Sequence, residues 1–202
     1  MAENYVSLDE LKASAELTGF SFADYDAKIA LSAASRGIDE YCGRRFWADA
    51  DATSVRYFTA LDSGCVSIDD AISVGTVQVD YDGDGVFDTT WAASDYRLSP
   101  LNAAADGKPY EEIQARPWMQ GFPCWQGSVK VTGQFGWLAV PDQVKEATTI
   151  MATRLLKRAR EAPFGIISLT GAESTAIHVA RTDPDTGFLL DPFVRGQGVM
   201  VA

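Results

Sequence analysis

Histidine occurs once in the 202 residues, at His178, and that scarcity excludes several chemistries at once. Zinc sites built on two histidines cannot form, and any Ser-His-Asp or Cys-His arrangement would have to use His178. That residue sits between Ile177 and Val179 in an irregular C-terminal stretch, where it reads as a strand position rather than a catalytic base. Cysteine is also scarce. Cys42, Cys65 and Cys124 are an odd number without C-x-x-C spacing, so no metal knuckle or disulfide framework is expected. Cys42 falls in an apolar helical stripe and reads as a buried free thiol, and nothing in the sequence supports a Cys65–Cys124 pair.

Other absences narrow the field further. No run of eighteen apolar residues exists, and Met1-Ala2-Glu3-Asn4 lacks a basic-then-apolar leader, so a protein used in the cytoplasm where it is made, away from membranes, is expected. Neither G-x-G-x-x-G after a strand nor G-x-x-x-x-G-K-[ST] occurs, so no nucleotide-binding loop is visible. Positive charge is in deficit, with 17 Lys and Arg against 28 Asp and Glu and a net charge of −11. Broad non-specific nucleic-acid binding needs clustered cations and is disfavoured, although a surface that DNA passes without sticking is not. Carboxylates abound, yet no two stand out as an acid/base pair.

The chain does hold enough to build a core, with 47% hydrophobic and 22% charged residues. Ser7-Leu8-Asp9-Glu10 has capping-box spacing and predicts a helix over Leu8 to Leu17 that stops at Gly19. A longer helix follows from Ala23 to Cys42, with the stripe Ala27, Ala30, Leu31, Ala34, Ile38 and Tyr41, and Gly43 as its stop. Its small residues allow close approach by another helix. The best partner is the segment Pro141 to Arg160, striped by Val144, Ala147, Thr148, Met151 and Leu155 and ended by Pro163 and Gly165.

Between these helices the period changes. Val55–Phe58, Cys65–Ile68, Gly75–Val79, Asp95–Leu98, Ile113–Ala115 and Val129–Val131 read as short strands, and Gly133 and Gly136 as bends. Asp82-Gly83-Asp84-Gly85 signals a hairpin turn between Val77–Val79 and Val86–Asp88. The expected fold is α+β: a helical core of three main helices from residues 1–51 and 128–163, a β-rich insertion at 52–127, and an extended C-terminal arm at 164–202. The arm is too apolar for a solvated tail and too broken by glycine and proline to form its own core, so it should dock on something.

Two clusters are candidates for binding. Asp80, Asp82, Asp84 and Asp88 occupy positions 1, 3, 5 and 9 of a calcium-loop pattern with Gly85 at position 6, but position 12 is Trp91 rather than glutamate. A turn rich in Asp and Gly is the simpler reading; a calcium-dependent β-domain binding module is the alternative. Arg154, Lys157, Arg158 and Arg160, with Arg44 and Arg45, either match the negative ends of helices or face an acidic partner.

Several stretches together resemble the head–tail connector (adaptor) family of long-tailed bacteriophages. They are Val6–Lys12, Ile38–Phe46, Val131–Trp137 leading through Val140-Pro141 to Arg154–Arg158, Ala162–Gly165, Val179–Asp185 and Leu189–Phe193. The β insertion with its Asp80–Asp88 turn is similar to members from phages of actinobacteria. The resemblance implies a non-enzymatic virion protein without a cofactor, in a homo-oligomeric, dodecameric ring beneath the portal. Such a ring extends the DNA channel and offers a platform to the next neck or tail protein. It further implies an arm that folds on the portal, with Phe164, Ile177, Val179, Phe188, Leu189, Leu190 and Phe193 as its apolar contacts.

Overall fold

The computed structural model describes residues 4–17, 19, 21–161 and 184–196. They form a mixed α+β protein in two compact units, one from residues 1–45 and 140–202 and the other from 46–139. The expected assignment of 128–163 to the helical part shifts accordingly. Residues 129–135 pair inside the sheet and belong with it.

In the helical unit, α1 spans Leu8–Leu17, α2 Asp24–Cys42 and α3 Asp142–Glu161. The capping box forms as spaced: the Glu10 amide donates to Ser7 Oγ at 3.2 Å, and the Ser7 amide to Glu10 Oε2 at 2.7 Å. Val6, Leu11, Ala27, Ala30, Leu31, Ala34, Ala152 and Leu156 make one buried cluster. Small residues let α2 and α3 approach closely, and a Cβ added to Gly37 would lie 3.4 Å from Met151 Cε.

Two stripe residues fall elsewhere than expected. Tyr41 is exposed, and Cys42 takes the buried place at the end of α2. On α3, Leu155 is exposed while Ala152 and Leu156 are buried. The packed side of α3 rotates along its length, from Val144, Ala147 and Thr148 to Ala152 and Leu156.

The other unit is a six-stranded antiparallel sheet in the order β1-β6-β2-β5-β4, with β3 also on β2. The strands are β1 (Ser54–Phe58), β2 (Cys65–Val79), β3 (Thr89–Trp91), β4 (Tyr96–Ser99), β5 (Tyr110–Ala115) and β6 (Val129–Phe135). Cys65–Ile68 and Gly75–Val79 are thus the ends of one 15-residue strand rather than two short ones. Register shifts along β2 let its two halves serve different neighbours, β5 first and then β6 with β3.

β6 alternates strictly, with Val129, Val131, Gly133 and Phe135 turned to the core. Gly133 is no bend. It sits mid-strand because a Cβ there would lie 2.2 Å from the Ser73 carbonyl oxygen. On the core face Trp91 stacks on Phe122 with centroids 4.4 Å apart. Arg56 reaches that face from the edge strand β1, pairs with Asp49 and Asp69, and lies 4.2 Å from the Phe135 ring centroid.

The end of β6 is fixed by side chains far away in sequence. Trp137 Nε1 donates to the buried carboxylate of Asp70 at 2.8 Å, and the Gly136 amide donates to the Asp70 carbonyl at 2.6 Å. Gly136 has φ 109°, and a Cβ there would lie 2.0 Å from the Trp47 carbonyl oxygen. In Gly136→Ala the restricted unfolded chain favours folding by only about 0.4–1 kcal/mol, far less than such a clash costs. Denaturant titration should show a net loss of about 3 kcal/mol for this variant. Trp137→Phe, which keeps the ring but removes the donor to Asp70, should lose about 1–3 kcal/mol.

Candidate functional site

The Asp80–Asp88 segment connects β2 to β3 as a long loop rather than a tight turn, because the ladder resumes only at Thr89. Asp80 organises it. Its buried carboxylate accepts the Gly83 amide at 2.7 Å on Oδ1 and the Gly85 amide at 3.0 Å on Oδ2. Asp82 Oδ1 accepts the Asp84 amide at 3.4 Å, and Asp84 Oδ1 accepts the Val86 amide at 2.7 Å. These are Asx-type turns in series. Burial pushes the Asp80 carboxyl up, but the amides of Gly83 and Gly85 outweigh it and hold the group below the ordinary carboxylate range. Asp82 goes the other way: the Asp84 amide lowers it, while burial and the carboxylates of Asp84 and Asp80 raise it further.

Asp80, Asp82 and Asp84 bring carboxylate oxygens within 4.8 Å of one another, and Asp88 is not in that group. Three carboxylates are half or fewer of the roughly six to eight oxygens that calcium takes. Trp91, at the twelfth position, is buried against Phe122, and its side chain supplies no carboxylate. The hydrogen bonds give Asp80, Asp82, Asp84, Gly83 and Gly85 a local role in this loop, and Asp88 has no part in them.

Cys42 is buried, Cys65 half-buried and Cys124 exposed. All three are free, so no Cys65–Cys124 bridge is present. Cys65 Sγ lies 3.4 Å from Asp62 Oδ2, and hydrogen bonding to Glu112, with burial and Asp62 behind it, pushes its pKa up to about 12. Burial pushes the Cys42 thiol up to about 11. His178 lies outside the described residues.

The proposed arm divides. Phe164, Ile177 and Val179 also lie outside the described residues. The others are not extended: Pro184–Leu190 forms α4 and Asp191–Phe193 a 3-10 turn. Pro184 suits a first helical position, and the one internal glycine, Gly187, is tolerated. Leu190 is buried within the chain's own helical unit, Leu189 and Phe193 are half-buried, and Phe188 is 80% exposed. Tyr41 Oη donates to Asp191 Oδ1 at 2.6 Å, and the Arg195 amide to the Cys42 carbonyl at 2.8 Å. The exposed Tyr41 that departs from its stripe is therefore an anchor for this segment, which periodicity alone does not reveal.

No family model matches the chain, and no curated protein matches it. Solved structures do. A chain from the neck of an empty gene transfer agent (GTA) particle, computed with C6 symmetry, matches with a TM-score of 0.52 at 18% identity, over 94% of this chain and 88% of that one. A chain from the virion of a native GTA particle matches with a TM-score of 0.54 at 17% identity, over 94% and 89%. The shared feature is the fold across nearly the whole length.

Two measurements test the loop and the thiols. Asp80→Asn keeps one acceptor but turns an amide donor toward one of the two glycine N–H groups, so its thermal midpoint should fall. A group with a depressed folded-state pKa stabilises above its unfolded pKa, so the gap to wild type should close as pH drops below about 4. Calcium should leave the wild-type midpoint unchanged; a rise on titration would favour the cation instead. With a thiol reagent at pH 8, Cys124 should react first, Cys65 more slowly, and Cys42 only on unfolding.

Proposed function

We propose that this chain is a structural, non-enzymatic protein of the neck of a phage-like virion, made in the host cytoplasm and assembled between head and tail. The observation that carries the reading is the fold it shares, over 94% of its length, with a chain from the neck of a GTA particle. In finer detail we assign it the role of head-to-tail adaptor, a homo-oligomeric and dodecameric ring beneath the portal. The sixfold symmetry of that GTA neck supports a ring. The ordered resemblance to head–tail connectors of long-tailed bacteriophages, from Val6–Lys12 through Leu189–Phe193, supports the same assignment from the sequence.

The physical chemistry agrees. A net charge of −11 suits a channel wall that repels the phosphate backbone and lets DNA pass without specific contacts. The portal would bind on one side, with Phe188 an exposed apolar contact for it, and a neck or tail completion protein on the other. A ring subunit separated from these partners should be a monomer or a weak oligomer.

Electron microscopy of the neck of purified particles, with mass spectrometry of the same sample, tests this. Density for this chain in a ring under the portal is expected; its absence from purified particles would end the proposal.

A further inference from the structure

Three aspartates of this chain are followed directly by glycine: Asp82-Gly83, Asp84-Gly85 and Asp106-Gly107. Such a pair can rearrange, because glycine has no Cβ to hinder its nitrogen or restrict its backbone. The glycine amide nitrogen attacks the aspartyl side-chain carbon, a C–N bond forms, and a carboxyl oxygen leaves as water. Water then reopens the five-membered succinimide, and opening at the former main-chain carbonyl leaves isoaspartate. One methylene has passed from the side chain into the backbone, with mass and charge unchanged.

Exposure does not separate the three pairs, since all six residues are exposed. Backbone does not either, because Gly83, Gly85 and Gly107 all have left-handed φ, at 78°, 85° and 64°. Hydrogen bonding does. In the acidic loop both glycine amides donate to one buried carboxylate, Gly83 to Asp80 Oδ1 at 2.7 Å and Gly85 to Asp80 Oδ2 at 3.0 Å. Attack requires each amide to give up its proton, and a carboxylate beside it opposes the anion that would form. The side chains to be attacked are engaged as well: Asp82 Oδ1 accepts the Asp84 amide at 3.4 Å, and Asp84 Oδ1 the Val86 amide at 2.7 Å.

The third pair stands in the exposed turn between β4 and β5. Backbone bonds tie the residues around it, from the Asp106 amide to the Asn102 carbonyl at 3.0 Å and from the Lys108 amide to the Ala103 carbonyl at 2.8 Å. The Gly107 amide and the Asp106 carboxylate have no hydrogen-bond partner among the described residues. We infer that Asp106 is where the folded chain forms isoaspartate, and that Asp80 shields Asp82 and Asp84 from the same rearrangement. The placement matches what each segment can absorb. An added backbone atom at Asp106 lengthens an exposed turn, whereas the same atom at Asp82 or Asp84 would pull a glycine amide off Asp80.

Peptide mapping by mass spectrometry tests this on the full chain after weeks at neutral pH, with electron-transfer fragmentation to tell isoaspartate from aspartate at each position. In folded wild type, the yield at Asp106 should exceed that at Asp82 or Asp84 by roughly tenfold, the effect of one hydrogen bond to a charged group. In the chain unfolded by guanidinium, the three sites should react to a similar extent. Asp80→Ala should raise the yields at Asp82 and Asp84 toward that at Asp106, with thermal unfolding to check that the variant is folded. If it is not, Asp80→Asn, which removes the charge and one of the two acceptors, serves in its place. Asp106→Glu should remove most of the isoaspartate that folded wild type forms. Equal yields at the three sites of folded wild type overturn the inference, as does no isoaspartate at Asp106 while the unfolded chain forms it there. Unchanged yields at Asp82 and Asp84 on replacing Asp80 would remove its shielding role. A fall in them would make that carboxylate a base that draws the proton, the reverse of the role assigned.

Discussion

Trp137 donates its indole N–H to a buried carboxylate on the longest strand of the sheet, and the middle of that sheet is organised around the place where this happens. Asp70 receives the side chain of Trp137 and, on its carbonyl, the amide of Gly136. Two successive residues at the exit of β6 are thereby tied to one residue of β2. A buried carboxylate without donors would be costly, so the position demands a donor from the strand that ends beside it. Magnitudes separate the roles of bond and strand. Slipping β6 by one residue would turn Val129, Val131 and Phe135 away from the core, at about 1.5–3 kcal/mol each. That exceeds the worth of any single hydrogen bond, about 0.5–1.5 kcal/mol for a neutral pair and somewhat more to a charge. Apolar alternation therefore sets the register, and Asp70 with Gly136 sets where the strand stops.

Charge follows a similar division between shaping and presenting. In the loop after β2, the carboxylate that does the structural work is the buried one, Asp80, and its depressed pKa reflects the amides it holds. Asp82 and Asp84 each accept one amide, yet they crowd one another enough to raise the pKa of Asp82.

The helices were legible because their signals are local. Ser7 with Glu10, the small-residue stripe of α2 and the stop at Gly43 all act within a few residues, and α1 begins and ends where the sequence predicts. The sheet was legible in kind but less in extent. β2 reads as two strands because Ser67 to Val74 mixes polar and apolar residues across a register shift, and only its changing neighbours make it one strand. Gly133 and Gly136 look alike in sequence, yet one is a mid-strand close approach and the other a left-handed exit. The partner of Trp137 lies 67 residues away, a distance over which periodicity carries no information. At the acidic loop, the carboxylates of Asp80, Asp82 and Asp84 lie together, and Asp88, placed with them by spacing, is outside that group.

The C-terminal segment shows why an apolar composition does not by itself identify a partner surface. Leu190 and Phe188 are two residues apart and equally apolar, yet one is buried on the chain's own helices and the other is almost fully exposed. What separates them is helical geometry: a step of two residues turns the side chain to the other side of α4. Tyr41 and Asp191 then clamp that orientation, and the carboxylate raises the Tyr41 phenol above its ordinary range. A raised folded-state pKa stabilises below the unfolded value and is lost as pH rises through the folded one, so the clamp is fully engaged at neutral pH. With α4 held in this way, the surface that 184–196 offers outward is the side bearing Phe188, while the side bearing Leu190 is already committed to the fold.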